Sequence, residues 1–131
     1  MPRAARASKS SRRKSPKRTL KGRLWVEIGN AKALTDAGAD LLEQIVACGS
    51  VSEAARRLGF AYRRAWLLVD AMNKTWPRPL VASATGGKRG GGARLTELGR
   101  HVLAAYRDLQ LQLEHFLDTA GDPFKPVADH D

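Results

Sequence analysis

Leu24, Val26 and Ile28 alternate with Arg23, Trp25 and Glu27, a period of two that predicts a short strand ending at the Gly29-Asn30 loop. The period then changes. Leu41, Leu42, Ile45 and Val46 form an apolar stripe at helical spacing behind Thr35 or Asp36 as N-cap. The stripe stops at Gly49, a residue suited to the left-handed position after a helix, so a helix over about 37–48 is expected. Ser50-Val51-Ser52-Glu53 has capping-box spacing: the Ser50 hydroxyl accepts from the Glu53 amide while the Glu53 carboxylate reaches back to the Ser50 amide. A second, short helix therefore starts at Val51 and ends where Gly59 turns the chain after Leu58. A third, over about 61–76, carries Ala65, Leu68, Val69 and Met72 on one side and is stopped by Pro77 and Pro79.

Leu80, Val81, Ala82 and Ser83 read as a strand, residues 86–92 as a flexible tip built of five glycines with Lys88 and Arg89, and Ala93, Arg94 and Leu95 as the returning strand. Thr96 caps a last helix, about 97–120, whose apolar positions Leu98, Val102, Leu103, Tyr106, Leu109, Leu113, Phe116 and Leu117 form a stripe wide enough to contact more than one neighbour. The expected fold is mainly α with a small β-hairpin wing. Helix, short helix, tight turn, longer helix and basic hairpin is the order of a winged helix-turn-helix. Ala54 and Ala55 are small where two helices must approach, and Leu58, Phe60, Ala65 and Leu68 are apolar where the pair meets the core. A generic two-helix hairpin shares a few of these features.

Charge sharpens the picture. The chain of 131 residues carries 23 Lys+Arg against 13 Asp+Glu, a net charge of +10. The surplus sits in the first 23 residues, where Arg3, Arg6, Lys9, Arg12, Arg13, Lys14, Lys17, Arg18, Lys21 and Arg23 occur with no acid. The remainder is neutral but polarised, with bases in excess over 51–95 and acids in excess on either side. Residues 1–19 are expected to be a disordered basic arm, 20–120 the folded domain, and 121–131 a flexible tail. The arm resembles a transit peptide in composition but lacks apolar residues at helical spacing.

Several function classes fall away. No apolar run is long enough to cross a bilayer. The single Cys48 cannot pair within the chain, which fits a reducing, cytoplasmic compartment. His101, His115 and His130 lack ligand spacing among themselves or with Cys48, so no metal and no cofactor is expected. No catalytic constellation emerges, and an enzyme is not expected. Asp40 and Glu43 share a helix face and are placed to pair with bases elsewhere.

The chemistry that remains is recognition of double-stranded DNA. In a helix-turn-helix the second helix enters the major groove by its N-terminal residues, here Tyr62, Arg63, Arg64 and Leu67. Each arginine can donate a parallel pair of hydrogen bonds to guanine or to phosphate, or simply decorate a solvated face. Trp66, one turn after Tyr62, is expected in the core rather than as a ligand platform. Lys88 and Arg89 between glycines suit approach to phosphates or the minor groove; a nucleotide-cradling loop is the weaker rival, because Arg89 stands where a P-loop has Ser or Thr after its Lys. Ser15-Pro16-Lys17-Arg18 in the arm either follows an A·T minor groove, acts as an unspecific polycation, or serves as an import signal in a eukaryote.

Residues 49–55, Tyr62-Arg63-Arg64-Ala65-Trp66, Met72-Asn73 and above all the run from Thr85-Gly86-Gly87-Lys88-Arg89 through Leu95-Thr96-Glu97-Leu98-Gly99 closely resemble the N-terminal DNA-binding domain of the ModE family of molybdate-responsive bacterial transcription regulators. The helix-turn-helix alone is similar to that of LysR-type regulators. The resemblance spans about 20–117. It implies a DNA-contacting set of Ser52, Tyr62, Arg63, Arg64, Leu67, Thr85, Lys88, Arg89 and Arg94, and a homodimer formed through the 97–120 helix by Leu98, Val102, Tyr106, Leu109, Leu113 and Phe116. Two departures stand out: Arg89 replaces a wing glycine, and Ala61 replaces the serine that usually caps the recognition helix. Full-length members continue into oxyanion-binding domains, so no molybdate site is expected in this chain.

The sequence is accordingly expected to encode a sequence-specific, homodimeric bacterial transcriptional regulator. The alternative is a nucleoid-associated architectural protein whose arm supplies most of the affinity. An anion carrier using the glycine loop is a third, remoter reading.

Overall fold

The computed structural model of the chain describes residues 16–84 and 92–125. The arm up to residue 15, the hairpin tip with Thr85, Lys88 and Arg89, and the last six residues lie outside the described residues.

The first strand, β1 (Val26–Ile28), is half of a hairpin that the alternation did not reveal. It pairs antiparallel with β2 (Ala31–Leu34) across Gly29, whose φ is +64°. Ala31-Lys32-Ala33-Leu34 has neither β-branched nor aromatic residues and carries little strand signal. Its place is set by burial of Ala33 and Leu34.

Helix α1 (Asp36–Cys48) begins as expected at Thr35, whose hydroxyl accepts from the Gly38 amide at 3.3 Å, and ends at Gly49 with φ +71°. Leu41, Leu42 and Ile45 are buried, but Val46 is 60% exposed and leaves the stripe assigned to it. Helix α2 (Val51–Leu58) starts at Ser50, which accepts from the Glu53 amide at 3.1 Å. The reciprocal half of the capping box does not form: the Glu53 carboxylate takes Arg56 and Arg57 instead. Two guanidinium groups one turn away outcompete a neutral amide for a carboxylate.

Gly59, at φ +72°, closes α2 with its amide on the last carbonyls, and the Phe60 amide donates to Ala55 O at 2.9 Å. The chain turns there into α3 (Tyr62–Thr75). Ala54, Ala55 and Ala65 are 0–2% exposed. Their small side chains let α2 and α3 approach closely over α1. Ala65, Val69 and Met72 are the inward side of α3, with Leu68 at its edge. Past the end of α3 the Trp76 indole N–H donates to Ala33 O at 2.9 Å, tying the helix to β2.

Strands β3 (Val81–Ala84) and β4 (Gly92–Leu95) pair antiparallel from Val81↔Leu95 to Ala84↔Gly92. The root of this hairpin is held twice. Asn73 accepts from the amides of Leu80 and Val81 and donates to Val81 O, all near 3.0 Å. On the other strand the Ala93 amide donates to Gly49 O at 2.9 Å, between α1 and α2.

Helix α4 (Glu97–Ala120) is capped by Thr96, which accepts from the Gly99 amide at 3.0 Å. Its first half belongs to the core. Val102 and Tyr106, expected in a dimer face, are 5% and 2% exposed within the single chain, and the Tyr106 hydroxyl donates to Leu24 O at 2.7 Å. They are therefore removed from the surface open to a second copy. Arg107 is clamped by Asp40 at 2.9 Å and by Glu43, so the acidic face of α1 finds its base on α4. At the two ends of the expected 20–120 domain, Arg18 pairs with Asp122 at 2.8 Å, and Gly22 lies against Leu113 and Leu117.

Among the described residues there are thus four α-helices and two small hairpins, a mainly α fold. None of these helices is long and apolar enough to cross a membrane.

Candidate nucleic-acid interface

The turn at Gly59 presents the start of α3 outward. Tyr62 is 63% exposed, Leu67 55%, and Arg63 and Arg64 are exposed, while Ala65 between them is fully buried. Ala61 precedes the helix in extended backbone and makes no side-chain cap. The first-turn amides consequently keep their donors toward solvent, and no acid lies in that turn. Cations and open amides make this the helix end best suited to an anion.

The two arginines are not equivalent. Arg64 sits with Cζ 4.4 Å from the centre of the Phe60 ring, a cation–π contact that draws it back toward the turn. Arg63 has neither an aromatic nor a carboxylate partner among the described residues. On α2, by contrast, Arg56 and Arg57 share the Glu53 carboxylate, and the hydrogen bond from Arg56 holds the Glu53 carboxyl below its usual range. Lys74, near the end of α3, is paired with Asp70.

Trp66 corrects an expectation. It is 44% exposed rather than in the core, and packs edge-on to Tyr62 with ring centres 6.3 Å apart. Helical geometry explains why: with Ala65 and Val69 inward, position 66 falls about 100° round the helix from Ala65 and about 60° from Val69.

Ser52 is exposed near the start of α2, and Arg94 is exposed on β4 opposite Ala82. Thr85, Lys88 and Arg89 lie outside the described residues, as stated. Of the positions assigned to a dimer face, Leu109 and Phe116 remain 45% and 64% exposed, Leu98 and Leu113 are half-buried, and Val102 and Tyr106 are inside. Leu111, unassigned by the stripe, is 64% exposed beside them. His101 and His115 are exposed.

Asn73 has a structural role that the pattern of the sequence did not assign. Its three hydrogen bonds fix where β3 departs from the end of α3. A polar residue on the half-buried side of a helix, shortly before a proline-broken strand, was the available signal.

Open recesses are found among the described residues. One, about 640 Å³, lies between residues 19–24 and α4 and mixes Lys21 and Arg23 with Glu114 and Asp118. Asp36 borders it; burial raises its pKa, but the Arg23 hydrogen bond and the Ala37 amide hold it below the usual range overall. Another, about 620 Å³, lies at the foot of the second hairpin between Arg78, Glu97 and His101. Neither gathers groups of one charge around a centre. Among the described residues no cluster of His, Cys, Asp or Glu could hold a metal.

No family model matches the chain. Individual proteins do. It is 36% identical over 109 residues to the molybdenum transport protein ModE of Azotobacter vinelandii, covering 83% of this chain and 40% of that protein. It is 42% identical over 74 residues to the DNA-binding transcriptional dual regulator ModE of Escherichia coli, covering 56% and 28%. To the molybdenum-pterin-binding protein MopB of Rhodobacter capsulatus it is 43% identical over 79 residues, covering 60% and 29%. The chain thus spans well under half the length of each of these relatives. Over the segment it shares with them, the chain is similar to these ModE and Mop proteins.

Proposed function

We propose that this chain is a sequence-specific DNA-binding unit of transcriptional regulation, with α2 and α3 as a helix-turn-helix, α3 as the recognition helix and the β3–β4 hairpin as the wing. The observation that carries the reading is the outward first turn of α3. Arg63 and Arg64 stand there without acidic partners among the described residues, above a helix start whose amides are uncapped. Relatives named as DNA-binding and transcriptional regulators support it.

In this reading α2 crosses the phosphate backbone and α3 lies in the major groove. Arg63 reaches base edges or phosphate, Arg64 is oriented by Phe60, and the basic wing with Arg94 grips alongside. Two copies associate through the exposed part of α4, with Leu109, Leu111 and Phe116 at its centre. A two-fold dimer then calls for two half-sites about one helical turn, roughly 34–36 Å, or a multiple apart. The protein works in the bacterial cytoplasm without a cofactor.

The test is a footprint and a salt titration of wild type and an Arg63→Ala, Arg64→Ala variant on duplexes selected from the source genome. Loss of discrimination between selected and random DNA supports the reading; discrimination unchanged by the substitutions refutes it. Deleting residues 1–21 separates the architectural alternative, which predicts loss of most binding, whereas the regulator keeps its preference for selected sites. A second reading, binding of a molybdenum oxyanion or pterin, is favoured by the name of the Rhodobacter relative. Calorimetric titration of the pure protein with molybdate decides it: tight binding would place the oxyanion site in this chain.

A further inference from the structure

The outward side of α3 carries more apolar surface than a purely electrostatic contact needs. Ala65, Val69 and Met72 already supply the inward stripe and are at most 4% exposed. Trp66 and Leu67 are surplus to it, at 44% and 55%. The edge-on contact with Tyr62 at an interplanar angle of 67° fixes the attitude of the indole on the surface. Arg63 lies one turn before Leu67, and Arg64 is drawn back over Phe60.

Large exposed apolar side chains rimmed by cations mark an interaction surface. The unpaired arginines select a polyanion as its occupant. A duplex offers hydrogen-bonding atoms along nearly all of its major-groove edge, and one apolar group, the C5 methyl of thymine. Leu67 has no hydrogen-bonding atom, and Trp66 has a single donor on a broad apolar body.

Resting on the reading of α3 as the helix that enters the major groove, we infer that Trp66 and Leu67 bury thymine C5 methyl groups and so set a preference for A·T pairs beneath the second turn of α3. Arg63 anchors the flanking phosphate or guanine, and Tyr62 acts as a positioning residue for the indole. The two arginines then supply most of the affinity, and the apolar pair supplies discrimination at positions the arginines do not read.

The experiment selects duplexes from a random pool with the full chain, then replaces thymidine by deoxyuridine one position at a time, a change that removes only the methyl. At one or two positions per half-site the affinity should fall about fourfold for each methyl lost. A Trp66→Ala, Leu67→Ala variant should bind the thymidine and deoxyuridine duplexes equally, at the lower level; both side chains are exposed, and an unchanged circular dichroism spectrum reports that the fold is retained. Equal affinity of wild type for both duplexes, or a thymidine preference that survives the double substitution, overturns the inference and leaves the DNA reading standing. Failure of the wild type to bind any duplex overturns both.

Discussion

Gly99 and Leu80 are in backbone contact: a β-carbon on Gly99 would stand 2.2 Å from the Leu80 carbonyl oxygen, which already accepts from the Thr96 amide at 2.9 Å. The first turn of α4 lies directly on the foot of the β3–β4 hairpin, and only a hydrogen fits between them. Because the obstacle is backbone, no side-chain rotation relieves it.

Gly99→Ala should therefore destabilise the fold. Alanine gains about 1 kcal/mol of intrinsic helix propensity over glycine, but separating α4 from the hairpin forfeits packing, and overfilled sites typically cost about 1–3 kcal/mol or more. A lower denaturant midpoint with an unchanged slope is the expected result. A midpoint at or above the wild-type value would show that the hairpin foot yields freely.

Asn73→Ala removes the acceptor for two backbone amides and the donor for one carbonyl at the start of β3. Leaving half-buried backbone groups unpaired costs about 1–3 kcal/mol. Hydrogen exchange should speed up first at Leu80 and Val81. Uniform acceleration across the chain, with no excess at those two amides, would contradict Asn73 as the local clamp.

Ala61→Ser acts in the opposite direction. Ala61 already has the extended backbone of an N-cap but no side-chain oxygen to accept a first-turn amide. A serine there should add about 1 kcal/mol of stability, read as a rise in thermal midpoint. It should also weaken duplex binding slightly, since the capped amide is no longer open to a phosphate.

Tyr106 gives a signed pH dependence. Burial pushes its phenol above the ordinary range, with Asp36 and Asp40 adding to the effect against Arg107 and Arg23. A raised folded pKa means that the neutral phenol is favoured in the native state. Its contribution is complete below the unfolded value of about 10 and is lost as pH rises through the folded one. In a Tyr62→Phe variant, where Tyr106 is the remaining tyrosine, ultraviolet titration should show ionisation above about 10 accompanied by unfolding. Ionisation at or below the ordinary value in a still-folded protein would place the hydroxyl in solvent.

Part of the candidate site is legible in the sequence. Tyr62, Arg63, Arg64 and Leu67, singled out by their positions near the start of α3, are exposed, and Ser52 and Arg94 are also at the surface. The inequality of Arg63 and Arg64 was not legible, because it depends on where Phe60 points after the turn. Nor was the exposure of Trp66: a tryptophan beside Ala65 fits either side of a helix edge until the neighbours are known. Val102 and Tyr106 share a stripe with Leu109 and Phe116 in the sequence, yet the first pair is covered by this chain and the second pair is not.

The helix ends were the sequence's own doing. Thr35, Ser50 and Thr96 each accept from an amide three positions on, and Gly49 and Gly59 close their helices in left-handed backbone. Such choices involve residues within a few positions of one another, so composition and spacing suffice to state them. The tertiary structure alone decided the pairing of β1 with β2, the inward turn of Val102 and Tyr106, the Arg107 clamp on α1, and the seating of the second hairpin by Asn73 and Gly99. The Arg107 clamp and the Tyr106 contact with Leu24 join segments far apart in the chain, and even the near-neighbour pairings depend on area and hydrogen bonds shared between surfaces, so no single segment carries the pattern of its partner.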